Sequence, residues 1–396
     1  MISVFDKKEE CCGCTACKHI CPTRAIEMES DQEGFLYPLI DQNLCIDCGR
    51  CKEVCAFQNG YDTLKNLKPP KVYAAKHKKE NIRMSSTSGG VFTAISDHVL
   101  ENSGVVFGVA FDENMNAVHR MAKTSDERDM FKGSKYVQSD LKNVYPEIKQ
   151  LISKGVQVLF TGTPCQTAGL KRFLSNDNTG NLILCDIVCY GTPSPLLWRE
   201  HIKHLEKKEN CKIIDYYCRH KVKGWHAHNE MVIYKNGKED YESILSQKHK
   251  NLFHSHNILR PACHNCKYTN LERPSDITIA DFWGIEKHMP EFDDNKGVSL
   301  LLVNTSTGQK LLENIKQNLI LKESNTQDCL QPQLNEPSKP SHDRSKFWKD
   351  YETRGYEYVV KKYAGYNMKN ISKMKLRRVL DSMGLLTLIK RLRKAK

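Results

Sequence analysis

Eight cysteines near the start of the chain are spaced for iron–sulfur chemistry. Cys11, Cys14, Cys17 and Cys21 read C-x2-C-x2-C-x3-C followed by Pro22, and Cys45, Cys48, Cys51 and Cys55 repeat the spacing 34 residues later with Ala56 in place of the proline. A [4Fe–4S] cubane needs one thiolate at each of its four iron corners. The tight C-x2-C-x2-C loop serves three of them, and the fourth cysteine of each run ligates the other cluster. The spacing therefore predicts one cluster on Cys11, Cys14, Cys17 and Cys55, and a second on Cys45, Cys48, Cys51 and Cys21. Zinc is a poor match, because its ligands come as two pairs split by a longer loop. Cys12 is left over, and is expected to be a packed thiol beside the first cluster.

Four further cysteines fall at expected turns: Cys165 in FTGTPCQTAGL, Cys189 in IVCYGTPSP, and Cys263 with Cys266 in RPACHNC. Open α/β sheets collect ligands at the carboxyl ends of their strands. Two strand-end cysteines and one C-x2-C pair can meet there on a third cluster or on one zinc ion, or remain separate packed thiols. Cys185, Cys211, Cys218 and Cys329 are expected to be buried structural thiols. Ser86-Thr87-Ser88-Gly89-Gly90 precedes a helical run, which suits either a pyrophosphate at a helix N-terminus or an ordinary serine cap. Gly133 to Ser139 reads as a polar turn. Gly162-Thr163-Pro164 brings backbone close to whatever lies above its strand end. Asp281, ending a strand, suits an orienting role at a site or a cap. His226 and His228 alternate on an expected strand, which suits a polar pocket rim or, less well, a metal pair.

The elements that must position these residues follow from hydrophobic periodicity. GVVFGVAF (104–111), QVLFTG (157–162), NLILCDIVCYG (181–191) and DITIAD (276–281) read as strands, alternating with helical patterns over Val91–Glu101, Val144–Lys154, Gln166–Leu174 and Pro195–Lys207. That alternation predicts an α/β domain with a largely parallel sheet. The expected organisation is a cysteine-rich α+β head over 1–60, a linker over 61–71 carrying Pro69-Pro70, the α/β domain over 72–327, a proline-rich linker over 328–345, and a basic helical tail over 346–396.

The chain has 396 residues with 39% hydrophobic content, as befits a globular protein with a substantial core. Its longest apolar stretch, Val105–Phe111, is far short of the ~20 residues of a membrane span. Met1–Glu10 is charged and lacks a signal-peptide pattern, so the grouped thiols among the seventeen cysteines read as metal ligands in a reducing cytoplasm rather than as a disulfide framework. The net charge of +13 is unevenly spread: residues 341–396 hold sixteen Lys/Arg against five Asp/Glu, whereas residues 1–60 hold six against ten. That polarity gives no case for nucleic-acid binding. In the tail, Leu376, Val379, Leu380, Met383, Leu386 and Ile389 recur at helical spacing among Lys and Arg. This is a basic amphipathic pattern, suited to an anionic inner-membrane surface, to an acidic partner, or to docking on its own domain.

The segments SSTSGGVFTAI (85–95), GSKYVQSD (133–140), FTGTPCQTAGLK (160–171), DIVCYGTPSP (186–195), RPACHNCKY (261–268) and SDITIADFWG (275–284) together resemble the coenzyme F-420 hydrogenase/dehydrogenase beta-subunit family. The resemblance covers about residues 1–355, including the ferredoxin-type 2x[4Fe–4S] module that many members carry. It implies a flavin-dependent iron–sulfur oxidoreductase with FAD, and a third [4Fe–4S] cluster on Cys165, Cys189, Cys263 and Cys266. It turns Ser86, Thr87, Ser88, Gly89, Gly90, Ser134, Lys135, Tyr136, Gln138, Gly162, Thr163 and Pro164 into flavin-binding candidates, with Lys135 and Asp281 as the catalytic candidates. Partners implied are a redox protein such as ferredoxin or a larger hydrogenase or dehydrogenase complex; the family also suggests a reductase in a surface-polysaccharide pathway. Ala280 replaces a common glycine, and Cys218-Arg219-His220-Lys221 departs from the usual Phe-Arg-Asp-Lys on the substrate side.

Overall fold

The computed structural model describes residues 3–241, 243, 245–365 and 372. The head contributes α1 (Ala16–Ile20), β1 (Ile26–Ser30), β2 (Leu36–Ile40), α2 (Arg50–Glu53) and α3 (Ala56–Asn59). Then come β3 (Asn66–His77), α4 (Glu80–Ser85), α5 (Val91–Glu101), β4 (Val105–Phe111), β5 (Ala117–Ala122), α6 (Ser125–Asp129), α7 (Val144–Ser153), β6 (Val158–Gly162), α8 (Pro164–Phe173), β7 (Leu182–Ile187) and α9 (Pro195–Glu209). The remainder is β8 (Ile213–His220), β9 (Asn229–Tyr234), β10 (Glu239–Asp240), α10 (Lys248–His254), β11 (Ile277–Asp281), α11 (Ile285–His288), β12 (Ser299–Thr305), α12 (Ser306–Ile315), β13 (Leu319–Ser324) and α13 (Arg344–Tyr363).

The four strands and four helices read from periodicity all form, with ends displaced by at most two residues or so, except that β7 stops at Ile187. The main sheet runs β13-β3-β12-β11-β7-β6-β4-β5. Its centre, β11-β7-β6-β4, is parallel, while β12, β3, β13 and β5 pair antiparallel on either side. The sheet is therefore mixed, and the expectation of a largely parallel sheet holds only for its centre. The reason lies in the connections: β11 to β12 and β4 to β5 return without a crossover helix between parallel partners, as antiparallel pairing permits.

Period-two alternation divides the apolar strand runs between two faces. Val105, Phe107, Val158, Phe160, Leu182 and Leu184 point to one face, where Tyr145, Ile148 and Ile152 of α7 and Leu170 and Phe173 of α8 cover them. Val106, Leu159, Ile183, Ile277 and Leu301 point to the other, under Val91, Ala94 and Ile95 of α5 and Leu311, Leu312 and Ile315 of α12. The cysteine-bearing head shares the first core: Cys12, Cys14, Cys17, Cys51, Cys55, Ala56 and Phe57 are buried in it.

Both expected linkers are built into the fold. The strand β3 begins at Asn66 and carries Pro69 and Pro70 at its outer end, and Asn66 Nδ2 donates to Arg273 O (2.8 Å). In the second, Cys329 and Leu334 are buried in a third core with Phe282 and Leu300, and Ser338 Oγ donates to Tyr190 O (2.6 Å).

Residues 1–199, 217–229 and 259–339 form one unit; 200–216, 230–258 and the described part of 340–396 form another. The second unit packs Phe347, Trp348, Tyr356, Val359 and Val360 of α13 inward. Its centre is polar: His201 lies 2.8 Å from Tyr356 Oη and 3.1 Å from Tyr216 Oη, and Tyr216 donates to Glu230 Oε1 (3.0 Å). No helix among the described residues is long and apolar enough to cross a membrane. The basic amphipathic pattern from Met374 to Lys396 lies outside the described residues.

Candidate metal centres and flavin segments

The two cysteine runs fold as local copies. Gly13 and Thr15 in the first, and Asp47 and Gly49 in the second, sit at matched positions with positive φ of 74°, 65°, 50° and 74°. Left-handed residues set between right-handed neighbours turn successive N–H groups toward a common centre, and such concavities hold anions and iron–sulfur clusters. Each loop borders a cavity. One is lined by Cys11, Cys12, Cys14, Cys17 and Cys55, the other by Cys21, Cys45, Cys48 and Cys51. Cys55 thus stands beside the first loop and Cys21 beside the second, the placement that crossed ligation needs.

The cavities differ in depth. Cys14, Cys17 and Cys55 are buried, whereas Cys48 is exposed and Cys21 and Cys45 are half-buried. Burial pushes the Cys55 thiol up to about 11 and raises Cys17 well above its ordinary value. An iron corner relieves that penalty, since a metal-bound thiol is deprotonated outright. Ile46, which lines the shallower cavity, is 64% exposed, and Leu39 and Leu44, next in sequence to Ile40 and Cys45 of its lining, are 55% and 50% exposed.

The large domain brings its four cysteines together. Cys165 stands in the first turn of α8, behind a Thr163/Gln166 capping box in which Thr163 N donates to Gln166 Oε1 (3.0 Å). Cys189 follows β7. The chain beyond it meets the 259–263 segment through the Pro193–Leu259 bridge and the bond from Arg260 N to Thr192 O (2.9 Å), and Thr192 N donates to Cys263 Sγ (3.3 Å). Burial raises Cys189, Cys263 and Cys266, the last to about 12, and each of the three is raised further by charge on Cys165. Zinc at ~2.3 Å from each sulfur would draw four thiolates to within about 4 Å of one another. Among the described residues no three His, Cys, Asp or Glu side chains are grouped for one metal ion.

Cys12 joins the two regions. Its thiol lies close enough to Cys14 and Cys165 to act on both, holding Cys14 below its ordinary value and Cys165 at about 7. In the second run the matched residue is the exposed Ile46, so the buried Cys12 marks the side of the head that faces the sheet. Gly169 of α8 permits the approach: a Cβ there would stand 2.7 Å from Cys14 Sγ and 3.0 Å from Tyr145 Oη. Gly169→Ala is expected to cost about 1–3 kcal/mol of stability through overpacking, read as a lowered Tm of the anaerobic holoprotein.

The flavin candidates fall in three segments, two of which meet where Ser134 N donates to Thr87 Oγ1 (3.1 Å). Other groups in them serve the fold. Ser86 Oγ donates to Ile82 O (2.7 Å), Ser88 Oγ to Val298 O (2.8 Å), and Gly89 N to Ser299 Oγ (2.9 Å). Gly90 is the left-handed cap of α5 at φ 90°. Lys135 Nζ donates to Met130 O and Lys132 O (2.9 and 2.8 Å), and Tyr136 N to Cys218 Sγ (3.3 Å). Gln138 points away from these segments, donating to Cys12 O (3.0 Å). Gly162, Thr163 and Pro164 present Cys165 rather than an open loop.

Both oxygens of Asp281 are engaged, one with Arg219 Nη1 and one accepting from Trp225 Nε1 (2.6 Å). That makes it a clamp for Arg219, which lies over Trp283 (4.8 Å). The expected strand over His226 and His228 is instead a 3-10 turn. His226 Nε2 pairs with Asp293 (2.7 Å) and His228 stacks on Trp283 (4.8 Å). Cys185, Cys218 and Cys329 are buried as expected, but Cys211 is only half-buried.

Two buried cations escape a reading by spacing. Lys221 Nζ donates to Arg83 O, Ser88 O and Lys296 O (2.7, 2.6 and 2.6 Å), bracing the Ser86–Gly90 turn; burial lowers it to about 7. Arg260 is 1% exposed and spans from the large domain to the head. The one local sign of it is Gly13, whose absent Cβ leaves room for the guanidinium: a Cβ there would stand 2.8 Å from Arg260 Nη1.

Comparison with known proteins agrees with this architecture. Residues 10–59 match the 4Fe-4S dicluster domain. Residues 72–145 match the N-terminal part, and 155–328 the C-terminal part, of the coenzyme F-420 hydrogenase/dehydrogenase beta subunit. Among solved structures, the chain is similar to one from the F-420-reducing [NiFe] hydrogenase complex of Methanosarcina barkeri, at 16% identity and a TM-score of 0.46, over 77% of this chain and 94% of that one. No curated protein matches. With both halves of the beta subunit following a dicluster domain in order, the chain belongs to the coenzyme F-420 hydrogenase/dehydrogenase beta-subunit family.

Proposed function

We propose that this chain is an iron–sulfur flavoprotein oxidoreductase that moves electrons between a one-electron carrier and a two-electron acceptor. The single observation that carries the proposal is the run of thiol sets: the shallow Cys21/Cys45/Cys48/Cys51 cavity, the buried Cys11/Cys14/Cys17/Cys55 cavity, and then, across Cys12, the Cys165/Cys189/Cys263/Cys266 set. Their depths give the path an outer end and an inner end. A flavin, when bound, supplies the exchange between single electrons and electron pairs.

The chain's residues contribute position and charge. Thr163 and Gln166 fix Cys165 at a helix N-terminus, where a thiolate is favoured. Lys221 holds the Ser86–Gly90 turn in place beside Thr87 and Ser134, and we assign that junction to the phosphates of FAD. Lys135 is assigned to the same rim. Asp281 orients Arg219 against Trp283, and the catalytic role we assign it is this positioning one. A second reading, an electron-transfer subunit docked on a larger oxidoreductase, is favoured by the exposed Ile46 that lines the shallow cavity, with the exposed Leu39 and Leu44 next in sequence to Ile40 and Cys45 of its lining, since apolar side chains around a cluster mark where a partner excludes water.

Anaerobic reconstitution with iron, sulfide and FAD tests the proposal. The expected product carries about 12 iron atoms per chain, at four per cubane, an equal amount of acid-labile sulfide, and one flavin that bleaches on reduction. A colourless protein that retains zinc would overturn it. About eight iron with one flavin would remove the third cluster while leaving the head assignment in place.

A further inference from the structure

Arg260 is a buried cation without a carboxylate partner among the described residues. Its guanidinium donates to Cys11 O from Nε (2.7 Å), to Gln138 Oε1 from Nη1 (2.9 Å), and from Nη2 to Leu36 O (3.0 Å) and Cys11 Sγ (3.6 Å). Tyr37 and Phe35 cover its face at 4.2 and 5.4 Å. Three residues after it comes Cys263, so one side chain joins the loop of the large-domain thiol set to the loop of the first head set. Burying a charge unpaired is expensive. Neutral thiols do not offset that cost, but a cubane held by four thiolates carries net negative charge and does.

We propose that Arg260 sets the reduction potential of the cluster held by Cys11, Cys14, Cys17 and Cys55, keeping it high enough to stand between the shallow head cluster and the large-domain centre. Charge and hydrogen bonds to sulfur are the levers by which a protein tunes such a cluster. Arg260 supplies both, a positive charge and an N–H on Cys11 Sγ. Each favours the reduced, more negative state. Gln138, also bonded to Cys12 O, holds the guanidinium against the loop. Arg260 is thus a positioning and tuning residue that acts through the cluster, and the inference rests on the first cysteine set holding one.

The test is redox titration of anaerobic full-length protein, followed by EPR, with iron and sulfide measured on each sample. Arg260→Gln is expected to retain wild-type iron while the potential of one head cluster falls by at least a tenfold change in its reduction equilibrium, about 59 mV for one electron. Arg260→Lys, which keeps the charge, is expected to recover part of that shift. An Arg260→Gln protein with full iron and unchanged potentials overturns the inference. Should Arg260→Gln fail to assemble, wild-type protein grown on [15N]arginine decides the matter: pulsed EPR of the reduced state is expected to show an arginine nitrogen coupled to a cluster, and no such coupling overturns it. Wild-type protein that binds no iron fails the underlying functional proposal instead, which separates the two.

Discussion

Cys55→Ala is expected to empty the buried head cavity and spare the shallow one, although Cys55 belongs to the run whose other three cysteines line the shallow cavity. Cys21→Ala is expected to do the reverse. The crossing follows from the lining of the two cavities, in which Cys55 stands with Cys11, Cys14 and Cys17, and Cys21 with Cys45, Cys48 and Cys51. Each variant loses about four iron and four sulfide per chain. Total iron alone cannot tell the two apart, but exposure can. Cys48 is exposed and Ile46 is 64% exposed, so the cluster surviving in Cys55→Ala should be bleached quickly by chelator or oxygen. The cluster surviving in Cys21→Ala lies behind Cys14, Cys17 and Phe57 and should bleach slowly. The opposite order of bleaching means that each run keeps its own fourth cysteine, and the path drawn from one cavity to the next then loses its geometry.

How much of this was legible in the sequence depends on the range of the interaction. The dicluster head was, because a cubane imposes a short, unusual spacing on thiols that little else requires. The central strands were as well: Val105–Phe111 and Val158–Phe160 are continuous apolar runs, as strands covered on both faces must be. The antiparallel flanks were not. Pro69 and Pro70 disguise the outer end of β3, and nothing in SLLLVNT (299–305) says whether it runs with or against its neighbour. His226 and His228 alternate as on a strand, but Gly224 at φ 89° and His228 at φ 51° force a turn. The proline-rich stretch near Cys329 looks like a linker because its few apolar residues carry no period, yet Cys329 and Leu334 are buried.

The residues that connect one site to another were the least legible. Arg260 bonds to Cys11, 249 positions away, and no local pattern encodes a partner at that distance. Cys12 was visible only as a surplus thiol. Its meaning comes from the surface that meets it, α8 with Cys165 and Gly169, and from the contrast with Ile46 at the matched position of the other run. The flavin segments fall between these extremes. Their glycines and hydroxyls look like a phosphate cradle, and the structure commits the Ser86 and Ser88 hydroxyls to backbone carbonyls and Gly89 N to the Ser299 hydroxyl, which leaves the Thr87–Ser134 junction as the part the fold presents.

Cys263→Ser combined with Cys266→Ser separates the head from the acceptor. If the large-domain quartet holds a cubane, removing two of its four corners costs about four iron per chain and leaves both head clusters in place, since neither residue lines their cavities. Dithionite or a reduced one-electron carrier should still bleach the head at the wild-type rate, because uptake occurs at the shallow cavity. Reduction of bound flavin by electrons delivered through the head should fall to background. Direct chemical reduction of the flavin should persist, which distinguishes a broken path from a lost flavin site. Arg260 lies three residues before Cys263 but bonds to the head through its own side chain, so head potentials should hold steady in the double variant and shift only in Arg260→Gln. Unchanged iron content with undiminished flavin reduction would make the quartet a set of packed thiols, and electrons would then reach the flavin from the buried head cluster across Cys12 without a further centre between them.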